Sequence, residues 1–348
     1  MATTCPHGDY QDNPVMLFVE VEPWERQRLS ELCPRHCDMH FSEKRLEQLA
    51  DREIPPGTRV LSGFVHSELS AGQLSRLDCL EFIATRSTGF DNIDIAECNR
   101  RGIRVANVPR YGDNTVAEHA FAMLLALTRK IHRCYERTSR GDFSLEGLRG
   151  VDLAGKTFGC LGVGNIGEKA MRIAGGFGMN RIAFDVRPDP LASGAGGFRY
   201  VDLDTLLAES DVLSLHVPLN DHTRHIINAQ TLAKMKPTAI LLNTSRGAVV
   251  DTAALLEALR SGRLGGAGLD VLEKEELVSE EAMMLHQRYD LDTLRQIVQS
   301  NALLRMENVI ITPHNAFNSQ EATQRIVETT LDNIHAWLAG EPINIVNH

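Results

Sequence analysis

Lys156-Thr157-Phe158-Gly159-Cys160-Leu161-Gly162-Val163-Gly164-Asn165-Ile166-Gly167 reads as a buried strand running directly into a G-x-G-x-x-G turn and a helix. The three glycines differ in what they permit. Gly162 allows the tight turn, Gly164 lets backbone approach a pyrophosphate, and Gly167 lets the helix pack on the strand. Asn165 and Ile166 open that helix, so their amide-rich end points at the phosphates. The next apolar run, 181–186, carries Asp185 at 18 residues past Gly167, where a dinucleotide fingerprint places a carboxylate for ribose hydroxyls. Asp185 favours NAD over NADP, and Arg187 two residues on softens that preference.

Working outward, six strand-like runs follow from Lys156: 158–162, 182–185, 212–216, 239–243, 268–271 and 309–312. Strands alternating with helical patterns predict a doubly wound parallel sheet. Upstream, runs at 15–21, 59–62, 80–85 and 103–107 alternate with helical patterns at 24–33, 71–78 and 93–101 and predict a second sheet of the same class. Residues 1–13 read as a loose extension. Val116, Ala120, Met123, Leu124 and Leu127 recur at threes and fours inside a single predicted helix over 114–140. At about 25 residues it would reach some 37 Å, enough to join two domains or two subunits. A last helix is expected over 320–339. It has no place in the six-strand set and is assigned back to the first domain. The predicted fold is therefore α/β with two doubly wound parallel-sheet, Rossmann-like domains and a cleft between them. Residues 1–112 with 315–348 form the discontinuous substrate domain, and 113–314 the dinucleotide-binding domain.

The 348 residues, 43% hydrophobic and 24% charged, suit a globular protein of two domains. A formal net charge of −10 argues against nucleic acid or an anionic membrane as partner. No run approaches transmembrane length and the start lacks signal-peptide character, so a cytoplasmic protein is expected. Seven cysteines without a framework spacing fit reduced thiols. Cys33, His36, Cys37 and His40 would share one helical face, but Pro34 interrupts it; no metal is expected there.

Ligands of open parallel sheets sit outside the carboxyl ends of strands. Arg246 follows the fourth run of the cofactor sheet, Glu275 the fifth and His314 the sixth. Together they suit hydride transfer to a 2-keto acid: a guanidinium for the carboxylate, an imidazole to protonate the developing alkoxide, and a carboxylate to keep that imidazole charged. Glu273 and Glu276 compete with Glu275 for the last of these roles.

At this point the chain resembles the NAD-dependent D-2-hydroxyacid dehydrogenases, and within them the D-lactate dehydrogenase-like branch. The resemblance runs from about residue 58 to 338. It is carried by Arg86-Ser87-Thr88-Gly89-Phe90-Asp91-Asn92-Ile93-Asp94, Asn107-Val108-Pro109 with Tyr111, Val116-Ala117-Glu118-His119-Ala120 and the glycine turn. Further downstream it is carried by Leu215-His216-Val217-Pro218-Leu219, Asn243-Thr244-Ser245-Arg246-Gly247, Gly268-Leu269-Asp270-Val271 and Ile311-Thr312-Pro313-His314.

The resemblance implies that Arg246, Glu275 and His314 are the substrate arginine, the histidine's partner and the acid/base. Glu275 is preferred to its neighbours because it stands five residues after Asp270. It further implies that Ser87, Thr88 and Gly89 hold the substrate carboxylate through backbone amides, and that Tyr111 and Phe317 line the substrate pocket. Val217 and Pro218 then lie on the adenine side, Thr244 on the nicotinamide side, and Asp270 faces the nicotinamide amide. Two departures stand out: Glu276 replaces the proline common after the glutamate, and 272–308 forms a long acid-rich insertion with the position of a lid.

The expected protein is a homodimeric NAD-dependent oxidoreductase acting on a short 2-keto or 2-hydroxy acid, pyruvate and D-lactate first. Rivals are glyoxylate or hydroxypyruvate reduction, and a dinucleotide-sensing corepressor-like role without turnover.

Overall fold

The computed structural model describes residues 14–32, 37–273 and 290–347. The expected N-terminal extension, Cys33 and His36 of the Cys/His group, and Glu275 and Glu276 lie outside them. The chain divides into two compact units, Met1–Tyr111 with Ser319–His348, and Gly112–Asn318. The second division falls at Ser319 rather than 315. The amides of Asn315 and Ala316 are tied to Asp270 of the second unit, and Ser319 caps the last helix by accepting the Ala322 amide.

In the first unit, β1 (Val15–Phe18), α1 (Pro23–Leu32), β2 (Asp38–Phe41), β3 (Thr58–Ser62), α2 (Ala71–Leu74), β4 (Phe82–Ala84), α3 (Ile95–Arg101) and β5 (Arg104–Ala106) follow one another. They build a five-stranded parallel sheet of order β2-β1-β3-β4-β5. The strands are apolar on both faces because helices cover both. Leu17, Leu61, Ile83 and Val105 point into one core, while Met16, Phe18, Val60, Phe82, Ala84 and Ala106 point into the other. The last helix, Gln320–Leu338, closes the second core with Val327, Leu331 and Ile334, and stacks Trp337 on Phe82 at 5.2 Å. Each such fully buried side chain is worth roughly 1.5–3 kcal/mol of transfer free energy. The edge strand β2 was not expected: four residues with a largely part-exposed pattern carry little periodic signal.

The second unit opens with α4 (Asp113–Thr128) and α5 (Ile131–Ser139), then β6 (Thr157–Leu161), α6 (Asn165–Gly176), β7 (Asn180–Phe184), α7 (Pro190–Gly196), β8 (Arg199–Tyr200), α8 (Leu203–Glu209) and β9 (Val212–Leu215). It continues with α9 (Ala229–Leu232), β10 (Ile240–Asn243), α10 (Thr252–Arg260), β11 (Gly266–Leu269), α11 (Leu291–Leu304) and β12 (Val309–Ile311). The sheet is parallel, of order β12-β11-β10-β9-β6-β7-β8. That is the doubly wound order with one strand added beyond the sixth. Seven strands replace the expected six because β8, two residues long and part-exposed, is too short to carry a periodic signal, so the 212–216 run is the fourth strand and pairs β6 directly.

The single helix expected over 114–140 is two. Lys130 takes a left-handed φ of 54°, and the Thr128 carbonyl accepts the Val151 amide at 2.9 Å instead of continuing the helix. The segment crosses so closely that a Cβ on Gly150 would lie 2.4 Å from that carbonyl oxygen. Such an override comes from tertiary packing and leaves no local signal. The helix expected over 71–78 likewise stops at Leu74.

Cys98, Cys134 and Cys160 are free thiols, whereas Cys79 is disulfide-bonded, correcting the expectation of reduced thiols throughout. Bridging depends on proximity in space and not on spacing along the chain. His40 pairs with Asp38 at 3.1 Å, and the described residues hold no group of three or more metal-ligating side chains. No helix among them is long and apolar enough to cross a membrane.

Candidate active site

β6 runs into the glycine turn. Gly162 has φ +90°, and a Cβ on it would lie 2.8 Å from both the His216 carbonyl oxygen and Val217 Cγ1, so no larger residue fits. A Cβ on Gly167 would lie 2.3 Å from the Gly162 carbonyl oxygen, which is the close helix–strand approach expected. Gly164 is the opposite case: nothing lies within 4 Å of its Cβ position. It opens α6 without a side-chain cap, whereas Asp94, Asp202 and Asp251 cap α3, α8 and α10. The amide-rich start of α6, at Asn165 and Ile166, is therefore suited to an anion.

Asp185, just past β7, has its carboxylate fixed on the rim of this turn by the amides of Val163 and Arg187, each at 2.8 Å. After β9, Val217 is half-buried against Gly162, and Pro218 beside it is exposed. Thr244, after β10, has a buried hydroxyl with no partner among the described residues. An orphaned hydroxyl, an uncapped helix start and an open glycine cradle fit a dinucleotide.

β10, β11 and β12 lie side by side in parallel register, so their carboxyl ends present one row of loops. After β10, Asn243 is buried and accepts the amide and hydroxyl of Ser245 while donating to the Arg246 carbonyl at 3.0 Å. The short loop carrying half-buried Arg246 is thereby fixed. After β11, Asp270 is 1% exposed. Its carboxylate accepts the amides of Asn315 and Ala316 at 2.8 and 2.9 Å and the Thr312 hydroxyl, with His119 Nε2 at 3.4 Å. Burial raises this carboxyl, but the donors outweigh it and hold it below the ordinary range.

After β12, His314 sits half-buried at φ +51°. Its amide donates to the carbonyls of Asp270 at 2.8 Å and Thr312 at 3.0 Å. A non-glycine residue in that region costs of order 1–3 kcal/mol and persists only where neighbours enforce it.

Glu273, a competitor of Glu275 on sequence, has both oxygens engaged, one with His225 Nε2 at 2.7 Å and the other with the Thr252 hydroxyl at 2.8 Å. Glu275 itself falls outside the described residues.

In the first unit, Ser87, Thr88 and Gly89 follow β4. The Ser87 hydroxyl donates to the Gly89 carbonyl at 2.6 Å and the Thr88 hydroxyl to the Val108 carbonyl at 2.7 Å. Both hydroxyls are thus turned inward, and the three backbone amides meet no acceptor among the described residues. Tyr111 is half-buried, with its carbonyl held by Arg325 at 2.7 and 2.9 Å; Phe317, in the second unit, is half-buried in the loop after His314.

Asn243, His119, Thr312 and Arg86 hold the loops around these strand ends through side-chain bonds that their spacing does not predict. All four stand inside the quoted motifs, so the signal was present but their side-chain partners, distant in the chain, were not.

Residues 121–316 match the family described as D-isomer specific 2-hydroxyacid dehydrogenase, NAD binding domain. Among curated proteins, a D-lactate dehydrogenase of Curvularia clavata is 42% identical over 82% of this chain and 80% of its own. A glyoxylate reductase of Thermococcus litoralis is 38% identical over 85% of this chain and 84% of its own. Among solved structures, a D-lactate dehydrogenase from Aquifex aeolicus complexed with NAD and lactic acid superposes with a TM-score of 0.83 at 34% identity, covering 94% of this chain and 96% of its own.

Proposed function

Because the chain belongs to the D-isomer specific 2-hydroxyacid dehydrogenases and carries their NAD-binding domain, we propose that it interconverts a short 2-keto acid and its D-2-hydroxy acid, pyruvate and D-lactate first. The carrying observation is the row of loops after β10, β11 and β12, which holds Arg246 and His314 in the unit that also carries the open glycine cradle. Arg246 offers a planar fork to the substrate carboxylate and carbonyl oxygen. His314 delivers a proton to that oxygen as it becomes an alkoxide and takes it back in the reverse direction. Bound NADH supplies the hydride to C2 of the keto acid. Glu275 is assigned to keep His314 charged, and the amides of Ser87, Thr88 and Gly89 to receive the carboxylate, with Tyr111 and Phe317 against the substrate side chain.

Asp185 supports NAD over NADP, because its fixed carboxylate would repel a 2′-phosphate. A homodimer is supported by Ile131, Tyr135, Phe143, Leu145 and Val151, all more than half exposed within 21 residues of the second unit.

The test is the initial rate of NADH oxidation with pyruvate, glyoxylate, hydroxypyruvate, 2-ketobutyrate and phenylpyruvate, repeated with NADPH. Preference for pyruvate with NADH, giving the D product, supports the reading. The Thermococcus relative makes glyoxylate the first rival, and preference for it would move the substrate while keeping the mechanism. Tight NADH binding without turnover on any acid would refute the assigned chemistry.

A further inference from the structure

Arg86 directly precedes the Ser87-Thr88-Gly89 loop, and its side chain is wholly buried, at 0% exposure. The guanidinium lies beneath the adjacent carboxyl ends of β1, β3 and β4. Nη2 donates to the carbonyls of Val19 at 2.8 Å and Glu20 at 2.7 Å, and Nη1 to the Ser62 carbonyl at 3.2 Å and hydroxyl at 3.3 Å. Nε lies 3.4 Å from Glu25 Oε1, close enough to pair charge without a hydrogen bond. Its own amide donates to the Gly63 carbonyl at 2.8 Å. One residue thus ties together three strand ends.

Glu20 completes the frame. It takes a left-handed φ of 57°, and its carboxylate accepts the amides of Phe64 and Ser67 on one oxygen and His66 on the other, all at 3.0 Å. Successive amides turned to one point form an anion-binding nest. In this unit the nest after β3 is filled by the chain's own carboxylate, whereas the amides after β4 are not. A buried guanidinium is a poor way to gain stability, since apolar residues of similar volume often serve as well or better. What it offers is a rigid fork with fixed directions.

We propose that Arg86 is a positioning residue: seated on the carbonyls of Val19, Glu20 and Ser62, it fixes the direction of the Ser87, Thr88 and Gly89 amides, while Glu20 fills the rival nest, so that the substrate carboxylate has one place to bind. The inference rests on reading 87–89 as the carboxylate loop.

The test is steady-state kinetics of the full chain with pyruvate and NADH for Arg86→Lys, whose single ammonium cannot span the same acceptors, and for Glu20→Gln. NADH affinity is measured by fluorescence titration and folding by thermal melts. Gly89→Pro, which removes one of the loop amides, is the control. The expected result for Arg86→Lys is a rise of roughly tenfold in KM for pyruvate, with kcat within about threefold and NADH affinity within about twofold of wild type. Glu20→Gln is expected to raise the same KM by roughly threefold, and it decides the matter if Arg86→Lys fails to fold. A folded Arg86→Lys or Glu20→Gln with unchanged KM, beside a Gly89→Pro with raised KM, would leave Arg86 a packing residue and overturn the proposal. Unchanged KM in all three would show that 87–89 does not hold the carboxylate, and the underlying reading would fall with it. Equal losses of pyruvate and NADH binding would mean general unfolding and also overturn it.

Discussion

The Asn315 amide donates to the Asp270 carboxylate at 2.8 Å, which fixes an anion one residue beyond His314 at the end of the neighbouring strand. Ala316 takes the other oxygen at 2.9 Å, and Thr312 joins the first. His119 Nε2 reaches Thr312 Oγ1 at 3.0 Å, so a helix on the sheet face backs the same loop. The left-handed turn at His314 is thus held through its backbone neighbours.

Asp270→Asn tests this arrangement. The amide removes the charge and turns a donor toward other donors, which should lower kcat/KM by roughly tenfold or more and stability by about 1–3 kcal/mol at pH 7. The folded carboxyl sits below its unfolded value, near 3.9, so its stabilisation is complete above that value and lost as pH falls through the folded one. Urea titrations of wild type and variant should therefore keep their gap at pH 5 and lose it only below about pH 4. A gap already closed at pH 5 would contradict the assignment.

Arg246→Lys replaces a planar fork with a point charge on a loop already fixed by Asn243. A loss of at least roughly tenfold in kcat/KM, about 1.4 kcal/mol of transition-state stabilisation, is expected from initial rates with pyruvate. A near-normal rate would remove Arg246 from the substrate's side.

The parts of this protein that were legible in its sequence are those set by local pattern. The glycine turn was readable because Gly162 and Gly167 face backbone at under 3 Å, a constraint that only glycine meets. Buried parallel strands were readable because both faces are apolar. The break at Lys130, the edge strand β2 and the two-residue β8 were not, since each depends on a neighbour distant in the chain. The same holds in the candidate site: Arg246 and His314 can be picked out by residue type directly after a strand end, which is a local feature. Asn243, His119 and Arg86 act through bonds to carbonyls, hydroxyls and carboxylates that spacing does not reveal.

His216 gives a pH signature. Its Nε2 lies 2.9 Å from the Ser214 hydroxyl, and although its surface is only part-buried the ring is enclosed enough that desolvation lowers its pKa to about 4. The unfolded value is near 6.5, so between these values the unfolded chain binds a proton that the folded chain refuses. Stability should therefore rise with pH from about 4 to 6.5 and be flat above. His216→Asn should lack this component, and wild type should lose on the order of 1–2 kcal/mol more than the variant between pH 7 and pH 5. Parallel denaturation curves at the two pH values would show that the imidazole is not buried neutral.

Thr244→Val separates a cofactor contact from a packing residue. In the protein alone the Thr244 hydroxyl is buried without a partner among the described residues, a condition that costs about 1–3 kcal/mol relative to a satisfied group. Valine has nearly the same shape and no hydroxyl, so the unliganded variant should be as stable as wild type or more so. If the hydroxyl waits for the nicotinamide end of NADH, the variant should bind NADH roughly threefold or more weakly by fluorescence titration, with its thermal midpoint unchanged or raised. A variant that melts earlier yet binds NADH normally would show that Thr244 serves the fold and not the cofactor.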